Sequence, residues 1–200
     1  MMRKQAACLV TVWLVMAGLR CAAAAPKEPA NLAPNASFET VQPSPAEQTN
    51  AAAAPSSTAG RPAAWEIWVE GGAEFRYPDD ARRAHGGRRC AMFRALQGLG
   101  SIRCGPIRVA DQRLLSIKVW TRGRGKVLVR AWVFTDQKST LLQEWPVTLG
   151  PGWTLGAFDF KPPKDCRAWW LDIANDGPAE FAVDDVFVAP LPVEATGGKE

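Results

Sequence analysis

The sequence has few of the residues on which most enzyme sites depend. Its 200 residues include one histidine, His85, and one tyrosine, Tyr77. It contains no CxxC motif, no Cys/His cluster, no P-loop, no dinucleotide-binding glycine fingerprint and no recognisable Ser/His/Asp triad. These absences argue against a zinc site and against catalysis by histidine. They favour a binding protein over an enzyme.

Long hydrophobic runs are also scarce, and the one that stands out lies at the N-terminus. Arg3 and Lys4 precede an apolar stretch over residues 6–19, and small residues follow it. This stretch is too short to cross a bilayer comfortably. The pattern predicts a signal peptide over residues 1–24, and a protein that is secreted, periplasmic or at the cell surface without a transmembrane segment in the mature chain. Arg20 argues against a lipoprotein attached through Cys21, because a small residue is expected there.

Three cysteines remain after the signal peptide: Cys90, Cys104 and Cys166. Export permits disulfides. If residues 94–100 form the turn of a hairpin symmetric about Gln97, Cys90 and Cys104 face each other with Cβ atoms about 4.5–5.5 Å apart. That is close to the spacing a disulfide needs. The sequence therefore predicts a Cys90–Cys104 bridge and an unpaired Cys166, with two buried reduced thiols as the alternative.

Charge is distributed unevenly along the chain. Residues 1–24 carry three basic residues and no acidic one, so without them the net charge falls from +4 to +1. Residues 76–130 then hold 14 Lys and Arg but only 3 Asp, between two acidic flanks. Either these cations are spread over solvated faces, or they form a patch for an anionic ligand such as an acidic polysaccharide. Nucleic acid is not expected as a partner of an exported chain.

Short strand-like segments separated by turn residues fill residues 65–190. The turn signals recur every 8–12 residues or so, and no segment keeps a helical period. This spacing predicts an all-β, antiparallel β-sandwich over residues 35–190, in a monomer. We expect residues 25–34 to be a leader, residues 41–64 a disordered Ala/Pro-rich loop and residues 191–200 a flexible tail.

Three of the predicted strands, at 114–120, 126–134 and 168–174, alternate between an aliphatic face and a face with a tryptophan. A polar or charged residue lies two positions from each tryptophan. An indole ring stacks on the C–H face of a pyranose while polar neighbours bond its hydroxyls. If the strands share a sheet, this face is a sugar-binding groove; otherwise the tryptophans fill the second side of the sandwich. The candidate ligand residues are Lys118, Trp120, Arg130, Trp132, Trp170 and Asp172.

The order of several motifs over residues 31–190 resembles the jelly-roll carbohydrate-binding modules of the family 4, 9 and 22 type, in the galactose-binding-like superfamily. The most specific elements are Asn-Ala-Ser-Phe-Glu at 35–39 and Phe-Ala-Val-Asp-Asp-Val-Phe-Val at 181–188. The resemblance implies a jelly-roll sandwich and a non-catalytic module that binds a polysaccharide or oligosaccharide, including anionic ones.

The resemblance also implies one structural Ca²⁺, held by Glu39 with Asp184 or Asp185. A hard cation prefers several oxygen ligands, including carboxylates. Adjacent residues on a strand point to opposite faces, so only one of the two aspartates is expected to reach the ion. The alternative is that both are solvent-exposed at a strand edge.

Two other functions stay open at this point. The fold also serves as an adhesion or protein-interaction module with no sugar site. A small jelly-roll lyase or glycosidase is the third alternative. A glycosidase needs two carboxylates across a cleft, for which the candidates are Glu66, Glu70, Glu144 and Asp172, none in a recognisable motif.

Overall fold

The computed structural model describes residues 30–42, 60–108, 113–134 and 138–191. These ranges hold twelve strands and no helix, so no described helix could cross a membrane. The predicted signal peptide and residues 192–200 lie outside them. The strands are β1 Val41–Gln42, β2 Arg61–Pro62, β3 Trp65–Glu70, β4 Glu74–Arg76, β5 Ala91–Ala95, β6 Leu99–Arg108, β7 Leu115–Arg124, β8 Lys126–Phe134, β9 Ser139–Thr148, β10 Thr154–Phe160, β11 Ala168–Asn175 and β12 Ala179–Pro190.

Ten of these strands form two five-stranded antiparallel sheets. The front sheet has the order β3-β6-β11-β8-β9, and the back sheet has the order β10-β7-β12-β5-β4. One cluster of buried side chains draws on both sheets. The predicted antiparallel β-sandwich is thereby confirmed.

Alternating residues supply the core between the sheets. Ile117 and Val119 of β7 and Val127 and Val129 of β8 are all fully buried, as the period-two pattern predicts. Trp169 is buried too, with its ring centroid 4.8 Å from that of Phe160. The next residue in the chain must then point away from the core.

The residues before the sandwich extend the fold beyond the predicted leader boundary. The Asn31 side chain bonds both sides of a β12 segment: its Nδ2 donates to Val186 O at 2.9 Å, and its Oδ1 accepts from Val188 N at 2.8 Å. Trp65 Nε1 donates to Pro34 O at 2.9 Å. Residues 31–34 therefore belong to the domain, because they satisfy polar groups at its edge.

The segment predicted as a disordered loop, residues 41–64, is paired at both of its ends. Val41 and Gln42 pair with Pro62 and Arg61 as a two-stranded sheet, and residues 43–59 lie outside the described ranges. Asn35 holds the base of this loop, since its side chain bonds the backbone of Thr40 and the carbonyl of Ala63. The Ala/Pro-rich composition concealed these backbone pairings.

The predicted Cys90–Cys104 disulfide is wrong in this structure, where Cys90, Cys104 and Cys166 are all free thiols. Cys90 precedes β5 in the back sheet, whereas Cys104 lies on β6 in the front sheet. The residues between β5 and β6 carry the chain from one sheet to the other instead of closing a hairpin. Symmetry about Gln97 therefore does not bring the two cysteines opposite each other.

Candidate functional site

The face of the front sheet that points away from the core, the open face, carries a row of charged side chains. Reading across the sheet, one residue of each strand lies in register with the next. The signs alternate along this row, which consists of Glu66, Arg103, Asp172, Arg130 and Glu144. Directly opposed residues of opposite sign stabilise a sheet.

Asp172 lies at the centre of this row and is only 3% exposed. Its carboxylate is 3.1 Å from Arg130 Nε and 3.7 Å from Arg103 Nε. Burial raises the pKa of Asp172, and the two guanidinium groups oppose that rise. The sequence predicts Asp172 as a direct partner for sugar hydroxyls. In the structure it is covered, and it holds the two arginines in place.

An aromatic group lies beside the charged row. Trp170 of β11 and Trp132 of β8 are direct cross-strand neighbours, and both are half-buried. Phe134 packs edge-on against Trp170 with ring centroids 5.0 Å apart. The Arg103 guanidinium lies 4.7 Å from the centroid of the Phe134 ring. Ring faces and cationic donors thus share one patch of the open face.

A glycine positions Trp170. Gly105 of β6 has a φ of +152° and lies under the indole, so that a Cβ at this position would overlap Cδ1 and Cγ of Trp170. Any larger residue at 105 would displace the ring.

Trp68 is a candidate that the sequence reasoning missed. It is 49% exposed and lies on the open face, in register with Ser101 and, through β6, with Ala174. Two strand spacings and four residues separate it from Trp170, or roughly 16 Å. The signal was available in Trp65–Glu70, where Trp65 and Ile67 alternate with Glu66, Trp68 and Glu70.

Two of the predicted ligand residues lie elsewhere. Trp120 and Lys118 belong to β7 of the back sheet, so the six candidates do not converge. The Trp120 ring is covered by His85, stacked at 3.8 Å between centroids, and Lys118 Nζ lies 5.8 Å from the Phe187 ring. Period two assigns a residue to a face of its strand, but it does not say to which sheet the strand belongs.

The three predicted calcium ligands all lie against the turn at residues 85–89. Glu39 Oε1 accepts hydrogen bonds from Arg88 N at 2.8 Å and Arg89 N at 2.9 Å. Asp184 accepts from the backbone N–H groups of His85, Gly86 and Asp185. Burial raises the pKa of Asp184 to about 7, against the effect of these donors.

Both aspartates reach this turn, contrary to the expectation of opposite faces. Asp185 Oδ2 lies 2.7 Å from His85 Nδ1. The reason is a register shift in β12 between Asp184 and Phe187, with Asp185 at a φ of +42°.

These residues do not fit a calcium site as they are arranged here. A calcium ion takes six to eight oxygen ligands, whereas Asp184 and Oε1 of Glu39 already accept N–H donors. No group of three or more His, Cys, Asp or Glu side chains suited to a metal occurs in the described part of the chain. Calcium at Glu39 and Asp184 or Asp185 stays a prediction from the resemblance.

No protein-family model matches the chain, and no curated protein does so either. Among solved structures, a family 4 carbohydrate-binding module is 19% identical over 64% of this chain and 86% of its own, with a TM-score of 0.51. The family 61 module TmCBM61, solved in complex with β-1,4-galactotriose, is 13% identical over 81% and 99% of the two chains, with a TM-score of 0.52.

A third similar structure belongs to a larger protein. The enzymatically active domain of bacteriophage CBA120 tailspike protein 4 is 9% identical over 64% of this chain, with a TM-score of 0.54. This match spans only 20% of the tailspike chain. The protein therefore has the jelly-roll β-sandwich fold seen in carbohydrate-binding modules.

Proposed function

We propose that the protein is an exported, non-catalytic carbohydrate-binding module that holds a polysaccharide or oligosaccharide on the open face of the front sheet. The observation that carries the proposal is the cross-strand pair of half-buried indoles, Trp132 and Trp170, on an outward-facing sheet surface. The fold shared with carbohydrate-binding modules is consistent with it.

The surroundings of the pair suit a sugar ring. The indole and Phe134 faces offer apolar surface for the C–H groups of a pyranose. Arg130 lies opposite Asp172, two residues along the strands from the Trp132–Trp170 pair. It presents guanidinium N–H donors to hydroxyl oxygens. Because Asp172 fixes Arg103 and Arg130, little side-chain entropy is lost when a ligand binds.

Trp68 lengthens the proposed groove. A chain that stacks on Trp170 and runs across the charged row reaches Trp68 about 16 Å away. We therefore propose a site for an oligosaccharide of several units, with Glu66 and Arg103 between the two stacking positions.

The proposal is tested by replacing the tryptophans one at a time. Trp132→Ala and Trp170→Ala should each weaken glycan binding by about 1–3 kcal/mol, by analogy with aromatic stacking platforms for bases. Trp120→Ala is the matched control, because this indole lies on the back sheet beneath His85. Isothermal titration calorimetry with neutral β-linked oligosaccharides, including β-1,4-galactotriose, measures the affinities, and a reducing-end assay checks for cleavage.

Equal losses in all three variants would overturn the open face as the site. A protein that binds no glycan at all would favour the alternative of an adhesion or interaction module. Release of reducing ends that Glu144→Gln abolishes would favour a glycosidase, since Glu144 lies on the same face.

A further inference from the structure

The back sheet carries a concave surface on its side away from the core. Its cavity measures ≈ 440 Å³, within the range of small-molecule sites. We name it the arginine pocket, after its lining by Arg76, Arg94, Arg122 and Arg124 around Met92 and Ala182. Glu74 and Glu180 also line it, so cations exceed anions by two.

Strand register explains why a cavity forms here. Arg76, Met92, Ala182 and Arg122 occupy one row across β4, β5, β12 and β7. The small Ala182 lies in the middle of this row with long side chains on both sides. The short Ala182 side chain leaves the depression and is itself almost fully covered, while the half-buried Met92 gives it an apolar floor between guanidinium groups.

The cations of the pocket fall into two groups. Arg76 and Arg94 are engaged by acids: Arg76 lies 3.2 Å from Glu74, and Arg94 lies 3.4 Å from Glu74 and 3.2 Å from Glu180. Arg122 and Arg124 have no carboxylate within ion-pair distance among the described residues. They point to the same side of β7, two positions apart.

Arg122 is held in place without being neutralised. Its NH2 group donates to Arg83 O at 2.7 Å, and its guanidinium carbon lies 4.8 Å from the Trp153 ring centroid. Neither contact cancels its charge. A fixed guanidinium with remaining N–H donors binds carboxylate and sulfate groups well, because its planar fork matches two of their oxygens.

We propose that the arginine pocket is a second binding site, specific for an acidic sugar unit whose carboxylate or sulfate lies against Arg122 and Arg124 and whose C–H face lies on Met92. The sugar class rests on the function proposed above, whereas the anionic group rests on the pocket itself. The open face then binds neutral parts of a glycan, and the back sheet binds charged ones.

The test uses calorimetry with oligogalacturonate, hyaluronan and chondroitin sulfate oligosaccharides. At least one should bind, and added salt should weaken its binding. Arg124→Gln and Arg122→Gln should each weaken it about ten- to a hundredfold, as expected for a hydrogen bond to a charged group. Arg167→Gln, at an exposed arginine next to the front sheet, is the matched control and should change nothing.

Several outcomes overturn the proposal. The first is that no acidic oligosaccharide binds. The second is that Trp170→Ala weakens the binding while Arg124→Gln does not. The third is that inorganic sulfate binds as tightly as the sugars. Arg124 is exposed, so its variant should fold even if loss of Arg122 is damaging. Neutral-glycan binding to the same variants reports separately on the open face, so failure of one site leaves the other measurable.

Discussion

Trp169 and Trp170 are adjacent in the sequence but have opposite roles. Trp169 is fully buried against Phe160, whereas Trp170 lies half-buried on the open face over Gly105. Trp169→Ala should therefore cost about 3–5 kcal/mol of unfolding free energy, as for other large-to-small core substitutions. Trp170→Ala should cost clearly less unfolding free energy while weakening glycan binding by about 1–3 kcal/mol. Chemical denaturation of both variants checks this, and equal destabilisation would show that Trp170 is a core residue.

Gly105 should influence glycan affinity through Trp170. Gly105→Ala should lower glycan affinity, because the new methyl group displaces the indole of Trp170. For the same reason, the change in tryptophan fluorescence on glycan binding should be smaller than in the wild type. The alanine also meets a strained backbone, since φ is +152°. The Trp170→Ala/Gly105→Ala double variant separates the two effects. If Gly105→Ala still lowers affinity without the indole, the glycine does not act by positioning it.

The thiols should differ in reactivity according to burial. Burial raises the pKa of Cys90 to about 12 and raises the pKa of Cys104 as well, so neither is a thiolate near neutral pH. Cys166 is only half-buried. Native alkylation at pH 8 followed by peptide mapping should label Cys166 first and the other two only after denaturation. Recovery of a Cys90–Cys104 cross-linked peptide would contradict the structure.

The turn at 85–89 is held by carboxylates from two distant parts of the chain, the segment before β1 and strand β12. Because Glu39 accepts two backbone N–H groups, Glu39→Ala should lower the unfolding free energy by about 1–3 kcal/mol. Glu39→Gln keeps an acceptor oxygen and should cost less than half as much. Equal losses in the two variants would show that the charge, and not the hydrogen bonds, is what matters.

The same Glu39 variants test whether Glu39 binds the predicted calcium ion or only accepts hydrogen bonds. An ion that binds only the folded state raises its stability, so if the calcium ion that the resemblance implies is bound, EDTA lowers the melting temperature of the wild type and leaves that of Glu39→Gln unchanged. The hydrogen-bonded arrangement of Glu39 and Asp184 instead predicts no effect of EDTA on either protein. A wild-type melting curve that EDTA does not move would remove calcium and leave the hydrogen bonds as the role of Glu39.

The sequence predicts which side of each strand faces the core better than it predicts which strands pair with each other. Period two correctly placed Ile117 and Val129 in the core and Trp132 and Trp170 on outward faces. It could not place Trp120, because local alternation carries no information about which distant strand pairs with β7. The same limit produced the wrong Cys90–Cys104 hairpin, since a turn between strands of one sheet and a crossover between sheets have similar sequences.

The two proposed sites lie on opposite outer surfaces of one sandwich. The sheets themselves are about 10 Å apart. The closest covalent route runs from Arg124 through Gly125 into β8, whose Trp132 lies six residues beyond Lys126, or roughly 20 Å along the strand. The basic segment of the sequence is accordingly divided, with Arg103 and Arg130 in front and Arg122 and Arg124 behind.

This separation predicts independent binding. A ligand couples to a second site only if it favours one of two states of the elements between them, and here a continuously packed core of buried aliphatic side chains fills that space. Saturating the arginine pocket with an acidic oligosaccharide should therefore leave the Kd of a neutral glycan unchanged within about twofold, and the stability losses of Trp170→Ala and Arg124→Gln should add within about 0.5 kcal/mol. Competition calorimetry and denaturation of the double variant measure both quantities. A fivefold or larger shift in Kd would mean that the two ligands share a surface or that β7 and β8 move together.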